Sequence, residues 1–173
     1  MTQFFAPEPL TLHHRLEGFT CNNQALDSWL ANQAHLNSAS GASRVFVATD
    51  NAGEVAAYYS LSTGSVPRNV IPRKQRHGAP QPVPILIIGR FAVASRYQSM
   101  GLGRSLLQDA LMRCLRLLDE VAFMFILVHP IDQAASAFWR HFGFVSAPTS
   151  EPMLLLPTSH LRPARSQTTA RMR

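Results

Sequence analysis

PILIIGRFAVASRYQSMGLGRSLL, running from Pro84 to Leu107, is the stretch that decides how the rest of the chain is read. Its apolar run ILIIGRFAV (85–93) has the length and content of a buried strand. A short polar segment, Ala94 to Ser99, leads into Gly101-Leu102-Gly103. Leu106, Leu107, Ala110, Leu111, Cys114 and Leu115 then follow at helical spacing. A strand, a glycine turn and a helix start form a cradle for an anion. Glycine lets backbone N–H groups come close, and the first turn of a helix presents unpaired N–H groups at a positive dipole end. A Walker loop would need Gly-Lys-Ser/Thr here, whereas the chain has Gly-Arg-Ser and no earlier glycine at the right distance. A dinucleotide fingerprint would need a glycine at position 106, which is Leu. What remains is Gln98-x-x-Gly101-x-Gly103 with Arg96 just upstream.

Further down, VAFMFILVHP (121–130) reads as a second apolar strand, and DQAASAFWRHFGFV (132–145) as a short helix ending in aromatics. Gly143 stands where such a helix needs a left-handed exit residue. The glycine loop resembles the pyrophosphate loop of the GNAT N-acetyltransferases, and the Phe138-Trp139-Arg140-His141-Phe142-Gly143-Phe144 block resembles the aromatic block near the end of GNAT domains. Upstream, Phe19-Thr20-Cys21-Asn22-Asn23-Gln24-Ala25-Leu26-Asp27-Ser28-Trp29-Leu30 resembles the opening of the GNAT toxins of bacterial toxin–antitoxin pairs. Tyr58-Tyr59-Ser60-Leu61-Ser62, Val83-Pro84 and Gly89-Arg90-Phe91-Ala92-Val93 resemble the same group, so the likeness spans about residues 10–160. The resemblance implies acetyl-CoA as cofactor and aminoacyl-tRNA as acceptor. It also implies a translation-blocking activity, a ribbon-helix-helix antitoxin as partner, and a homodimer.

Composition narrows the setting. The 173 residues suit one domain, and an apolar content of 46% can fill one core. Net charge is +6, and Lys74 is the only lysine among 16 basic residues. Arginine pairs bidentately with phosphate and stacks on bases, so the balance favours an anionic partner, CoA or RNA. Cys21 and Cys114 are too few for a disulfide framework or a zinc site, and no metal is expected. MTQFFAPEPL has no basic region ahead of a long apolar one, so no secretory signal is expected. The longest apolar run, VAFMFILV, is too short to span a bilayer. A cytoplasmic location follows as the expectation.

The predicted order is a strand over 10–18, a helix over 23–37, a loop over 38–43, and strands over 44–50 and 54–66. Residues 67–84 hold five prolines with Arg68, Arg73, Lys74, Arg76 and His77, and read as an irregular basic loop. Strand 85–93, helix 103–119, strand 121–128, helix 132–141 and a last strand near 152–156 complete an α/β domain over 1–161. The expected architecture is a single GNAT-like domain, with a central mixed, mostly antiparallel sheet and helices on both faces. The tail RPARSQTTARMR (162–173) carries four arginines and no apolar cluster, and is expected to be disordered.

Acetylating an amine from a thioester requires that the donor be held, its carbonyl polarised and the departing sulfur stabilised or protonated. Holding falls to the loop amides of Ser99, Met100, Gly101, Leu102, Gly103 and Arg104 beside Gln98, with the Arg96 and Arg104 side chains as charged help. By resemblance, the backbone of Phe91, Ala92 and Val93 hydrogen-bonds the pantetheine arm, and Phe138 lies against the cofactor. The side chains of Phe91 and Val93 are expected to be core. The chain departs from the family at Trp139, which stands where the resemblance places a tyrosine general acid. An indole N–H donates a hydrogen bond but delivers no proton. Three readings stay open: water and a good leaving group suffice, His129 or His141 substitutes, or catalysis is weak. His129 is kept as the candidate, because His141 is expected to point away from Trp139 on the helix. Arg68, Arg73, Lys74, Arg76 and Arg90 are the candidate acceptor contacts. Two other functions compete with the tRNA reading: acetylation of a small amine, peptide or protein N-terminus, and an acetyl-CoA-binding protein that only engages an antitoxin.

Overall fold

The computed structural model describes residues 2–162. Seven strands form one sheet in the order β1-β2-β3-β4-β5-β7-β6. They are β1 (Glu8–Pro9), β2 (Arg44–Thr49), β3 (Val55–Val66), β4 (Val83–Val93), β5 (Phe125–Val128), β6 (Val145–Ser146) and β7 (Leu154–Pro157). Only β4 and β5 run parallel; every other neighbouring pair is antiparallel. The helices are α1 (Gln24–Asn32), α2 (Ala34–Ser40), α3 (Leu102–Leu117) and α4 (Gln133–His141).

Alternation along the strands sends side chains to two faces. Val45, Val47, Val55 and Tyr58 meet Leu26 and Leu30 of α1 and Ala34 of α2 on one face. Leu86, Ile88, Ile126 and Leu156 meet Leu106, Leu107, Ala110 and Cys114 of α3 and Trp139 of α4 on the other. Helices therefore cover both faces, and the expected mixed, mostly antiparallel sheet is observed.

Several elements differ from the sequence expectation. Residues 10–18 form no strand. Leu10 donates to the Val45 carbonyl at 2.8 Å, and the chain then turns through Thr11–His14, closed by the His14 N–H to the Thr11 carbonyl at 3.2 Å. The strand that pairs with β2 lies just upstream, at Glu8–Pro9. The single helix expected over 23–37 breaks at Gln33, whose carbonyl accepts from both the backbone N–H and the side-chain amide of Asn37. The second helix continues to Ser40, where Gly41 at φ 78° ends it. β5 begins only at Phe125, because Val121 is exposed and the turn after α3 uses residues 118–121.

The basic loop is better ordered than its prolines suggest. Two 3-10 turns, Arg68–Val70 and Arg73–Gln75, shape it, and β4 starts at Val83, earlier than expected. Ile71 is 0% exposed, and with Ala79 it seals a second cluster of Val83, Ile85, Phe125, Leu127 and Leu155. Arg162, the first residue of the expected tail, donates to the Leu118 carbonyl at 3.1 Å. The rest of that tail lies outside the described residues. Among the described residues no helix is long and apolar enough to cross a membrane.

Candidate active site

The cleft is made by two strands that part company. β4 and β5 pair from Ile85–Phe125 to Ile88–Val128, and β5 then ends. β4 continues five residues further, paired only with β3. Its register against β3 shifts between Ser60 and Leu61, so that Ser60 faces Arg90 while Leu61 faces Ile88, leaving Gly89 as a bulge. A Cβ at Gly89 would stand 3.2 Å from the Ser60 hydroxyl, so the bulge favours glycine. The bulge turns the end of β4 away from β5 and leaves the outer backbone edge of Gly89–Val93 facing a cleft of about 1010 Å³.

At one end of the cleft lies the glycine loop. Gly101 has φ 82° and precedes α3 with no side-chain cap. The first helical N–H to find a backbone acceptor is that of Ser105, bonded to the Gly101 carbonyl at 3.2 Å. Among the described residues the N–H groups of Leu102, Gly103 and Arg104 have no acceptor, as an anion cradle requires. Ser99 adopts φ 62°, an unusual value for a residue with a side chain, and it too lines the cleft. The Gln98 side-chain amide donates to the Val93 carbonyl at 3.1 Å and the Cys21 carbonyl at 3.2 Å. Gln98 thus ties the loop to the end of β4 and to the approach to α1. Gly103 lets Phe138 and Val93 come to 3.7 Å of where its Cβ would be.

Three side chains of the expected loop sit elsewhere. Arg96 lies at 3.1 Å from Glu54 and 3.6 Å from Asp50, outside the cleft. Asp50 is buried, and burial by itself raises its carboxyl. Hydrogen bonds from Tyr97 and from the N–H groups of Glu54 and Ala52, with the charge of Arg96, outweigh burial and hold the carboxyl below the usual range. Arg96 is thereby committed to bracing the turn before the glycine loop. Met100 and Leu102 face a separate groove beside Phe4 and Phe5, so their side chains do not reach the cleft. Ala92 is core, as are Phe91 and Val93 in part.

The middle of the cleft is aromatic. Trp139 is 5% exposed, with ring centroids of Phe91 at 4.9 Å, Phe144 at 5.1 Å and Phe138 at 5.2 Å, all edge-on. Asp132 caps α4 by accepting from the Ala135 N–H at 2.7 Å, and Gly143 at φ 94° lets the chain leave. His129 lines the cleft and is exposed. His141, at the end of the helix, also lines the cleft and is exposed.

At the far end Leu26, Ile87 and Arg90 complete the lining. Leu26 and Ile87 were not among the sequence candidates. The signal for Leu26 was its place in the Leu26-Asp27-Ser28-Trp29 segment. Arg90 lies over the Trp29 ring at 5.4 Å, and Trp29 in turn stacks on Tyr58 at 6.0 Å and 6°. Arg68, Arg73, Lys74 and Arg76 do not line the cleft. Arg76 is committed to the loop itself, donating to the Ile71 carbonyl at 2.9 Å and the Asn69 carbonyl at 3.0 Å. Arg68 donates to the Arg76 carbonyl at 3.2 Å, and Arg73 and Lys74 are exposed. Among the described residues, the charged and titratable groups on the cleft wall are Arg90, Arg104, His129 and His141, with no carboxylate. Among the described residues no three His, Cys, Asp or Glu side chains gather as metal ligands.

Comparison with known proteins agrees with this geometry. The profile of the acetyltransferase (GNAT) family matches residues 11–144. A tRNA-acetylating toxin of Mycobacterium tuberculosis is 36% identical over 156 residues, covering 90% of this chain and 93% of that one. AtaT complexed with acetyl-methionyl-tRNAfMet superposes with a TM-score of 0.83 at 21% identity, covering 93% of this chain and 97% of that one. A variant AtaT toxin bound to the C-terminus of the antitoxin AtaR and acetyl-CoA gives a TM-score of 0.75 at 21% identity, covering 93% and 96%.

Proposed function

We propose that this chain, which belongs to the acetyltransferase (GNAT) family, transfers the acetyl group of acetyl-CoA to the α-amino group of aminoacyl-tRNA and so acts as a translation-blocking toxin. The observation that carries the acceptor class is the cleft wall, with two arginines, two histidines and no carboxylate. A polyamine or a lysine side chain would find no counter-charge there. At pH 7 only about one lysine amine in 2,500 is neutral, against about one α-amino group in seven. An α-amine can therefore attack without a protein base, and an anionic carrier suits the arginines.

The residues present fit acetyl-CoA. The unpartnered N–H groups of Leu102, Gly103 and Arg104, together with the Arg104 side chain, would take the pyrophosphate. The open edge of Phe91–Val93 would pair with the pantetheine amides, and Phe138 would pack on the arm. Bound there, acetyl-CoA supplies an activated acyl group. Arg90, held over Trp29, stands at the acceptor end of the cleft, where a tRNA 3′ phosphate would arrive. Arg68, Arg73 and Lys74 remain as outlying phosphate contacts, whereas the donors of Arg76 are already used. An antitoxin would hold the toxin in check, as AtaR binds AtaT. A ribbon-helix-helix antitoxin, a second copy of this chain and a cytoplasmic setting complete the reading.

Labelled acetyl-CoA offered with charged tRNA, deacylated tRNA, spermidine and a short peptide tests it. Label should enter charged tRNA alone and leave on mild base as an acetylated amino acid. Label on the peptide would instead support the N-terminal reading, and label on spermidine would refute the α-amine argument. A chain that binds acetyl-CoA and labels nothing would favour a purely antitoxin-binding role.

A further inference from the structure

Resting on that reading, Trp139 acquires a role that needs a hydrogen-bond donor and no proton transfer. The residue is 95% buried in an aromatic box of Phe91, Phe138 and Phe144, and it lines the cleft beside the open edge of β4. Its indole N–H has no acceptor among the described residues. The donor is nevertheless not sealed in. Among the described residues, the enclosed side-chain polar atoms that lack a partner are Ser38 Oγ, Ser43 Oγ and Gln75 Oε1, none of them in α4. What little exposure Trp139 keeps thus includes its one polar atom, and the residue lines the cleft. A buried aromatic with a free donor at an open site is an incomplete hydrogen bond.

We propose that Trp139 is a catalytic hydrogen-bond donor whose indole N–H binds the sulfur of acetyl-CoA and stabilises the charge that gathers there as the thioester breaks, without giving up its own proton. Atoms and charges balance without a protein acid. The acceptor nitrogen forms a bond to the acetyl carbon, the carbon–sulfur bond breaks with its electron pair kept on sulfur, and the proton lost from nitrogen passes to water. A thiol is a far stronger acid than an alcohol, with a pKa of about 8.5 for a cysteine, so sulfur can depart as an anion if one donor meets it. The box supplies no titratable group. The charged and titratable groups facing the same space are Arg90 from β4, Arg104 from α3, His129 after β5 and His141 at the end of α4. In a site sheltered from water a hydrogen bond to an anion is worth roughly 10- to 100-fold in an equilibrium.

The test is calorimetry of CoA and of desulfo-CoA, which keeps the phosphates but lacks the thiol, between pH 7 and pH 9.5. Desulfo-CoA subtracts whatever His129, His141 and the two arginines contribute. Wild-type affinity for CoA should rise with pH by roughly 10-fold or more relative to desulfo-CoA, because the bound thiol ionises earlier than the free one. In Trp139→Phe that excess rise should vanish while desulfo-CoA binds as before. Trp139→Tyr should restore it, because a hydroxyl also donates. An excess rise that survives in Trp139→Phe overturns the proposal, and so does its absence from the wild type, which needs no variant to fold. If neither ligand binds the wild type, the cofactor reading itself falls and takes the proposal with it.

Discussion

The glycine loop and the basic loop are both short, exposed and irregular, yet they are held in opposite ways. Residues 98–104 are shaped by backbone conformation, with Ser99 and Gly101 at positive φ and the first helical N–H groups left open. Residues 67–82 are shaped by side chains, with Ile71 and Ala79 driven into the core and Arg76 tied to two carbonyls. A loop held by its backbone keeps its donors for a ligand. A loop held by its side chains consumes some of the charges that composition alone would assign to a partner.

Substituting Gly101→Asp should break the first arrangement most severely. A Cβ there meets nothing within 4 Å, so a clash plays no part. The left-handed backbone costs a side chain about 1 kcal/mol, and the carboxylate repels a pyrophosphate. Affinity for CoA should fall roughly 100-fold by calorimetry, worth about 2.7 kcal/mol. Gly101→Ala should show only the loss of stability, and equal binding in the Asp and Ala variants would contradict the cradle.

Arg76→Ala probes the second arrangement. It leaves the carbonyls of Ile71 and Asn69 without their donor. A stability loss of about 1–3 kcal/mol is expected in urea melts, with faster proteolysis of the loop. An unchanged midpoint would mean that the prolines and Ile71 hold the loop unaided.

Acid should loosen the glycine loop before it loosens the core of the sheet. Asp50 has a folded carboxyl below its ordinary value, so its contribution is present above the unfolded value near 3.8 and is lost as pH falls through the folded one. Asp50→Asn should remove that dependence and lower stability at pH 7. The check is thermal melting from pH 7 to pH 2.5. A variant whose melting keeps the same slope below pH 4 would show that Asp50 is not the group responsible.

The smallest effect belongs to Arg73 and Lys74, the exposed pair. Replacing both with Ala should leave melting unchanged and flatten the salt dependence of tRNA binding by about one log–log unit for each phosphate that loses its cation. An unaltered slope would make the loop a solvated surface and leave Arg90 as the acceptor-side cation.

Much of the cradle was legible because its signals are local. Gly101, Gly103 and the apolar spacing after them speak of a turn and a helix whatever surrounds them, and Gly143 announces a helix exit for the same reason. Arg96 misled because its two carboxylate partners, Asp50 and Glu54, lie more than forty residues away. The place of His141 on the cleft wall was not legible, because helical phase fixes direction around an axis but not how near the helix end comes to a cleft. The break falls at Gln33, whose backbone leaves helical φ at −116°, and nothing in the apolar period marks that residue.

Sequence by itself determined the α/β class, the family, the glycine cradle and the presence of an indole where the resemblance places a phenol, because all of these reside in residue identity and short spacing. Only the tertiary structure decided which charges are free. It committed Arg96 and Arg76 to internal partners and brought Leu26, Ile87 and Arg90 to one rim. It also left the Trp139 N–H without an acceptor among the described residues, inside an aromatic box. The reason is physical: a hydrogen bond or ion pair depends on distances between segments far apart in the chain, and those distances exist only once the sheet has set them.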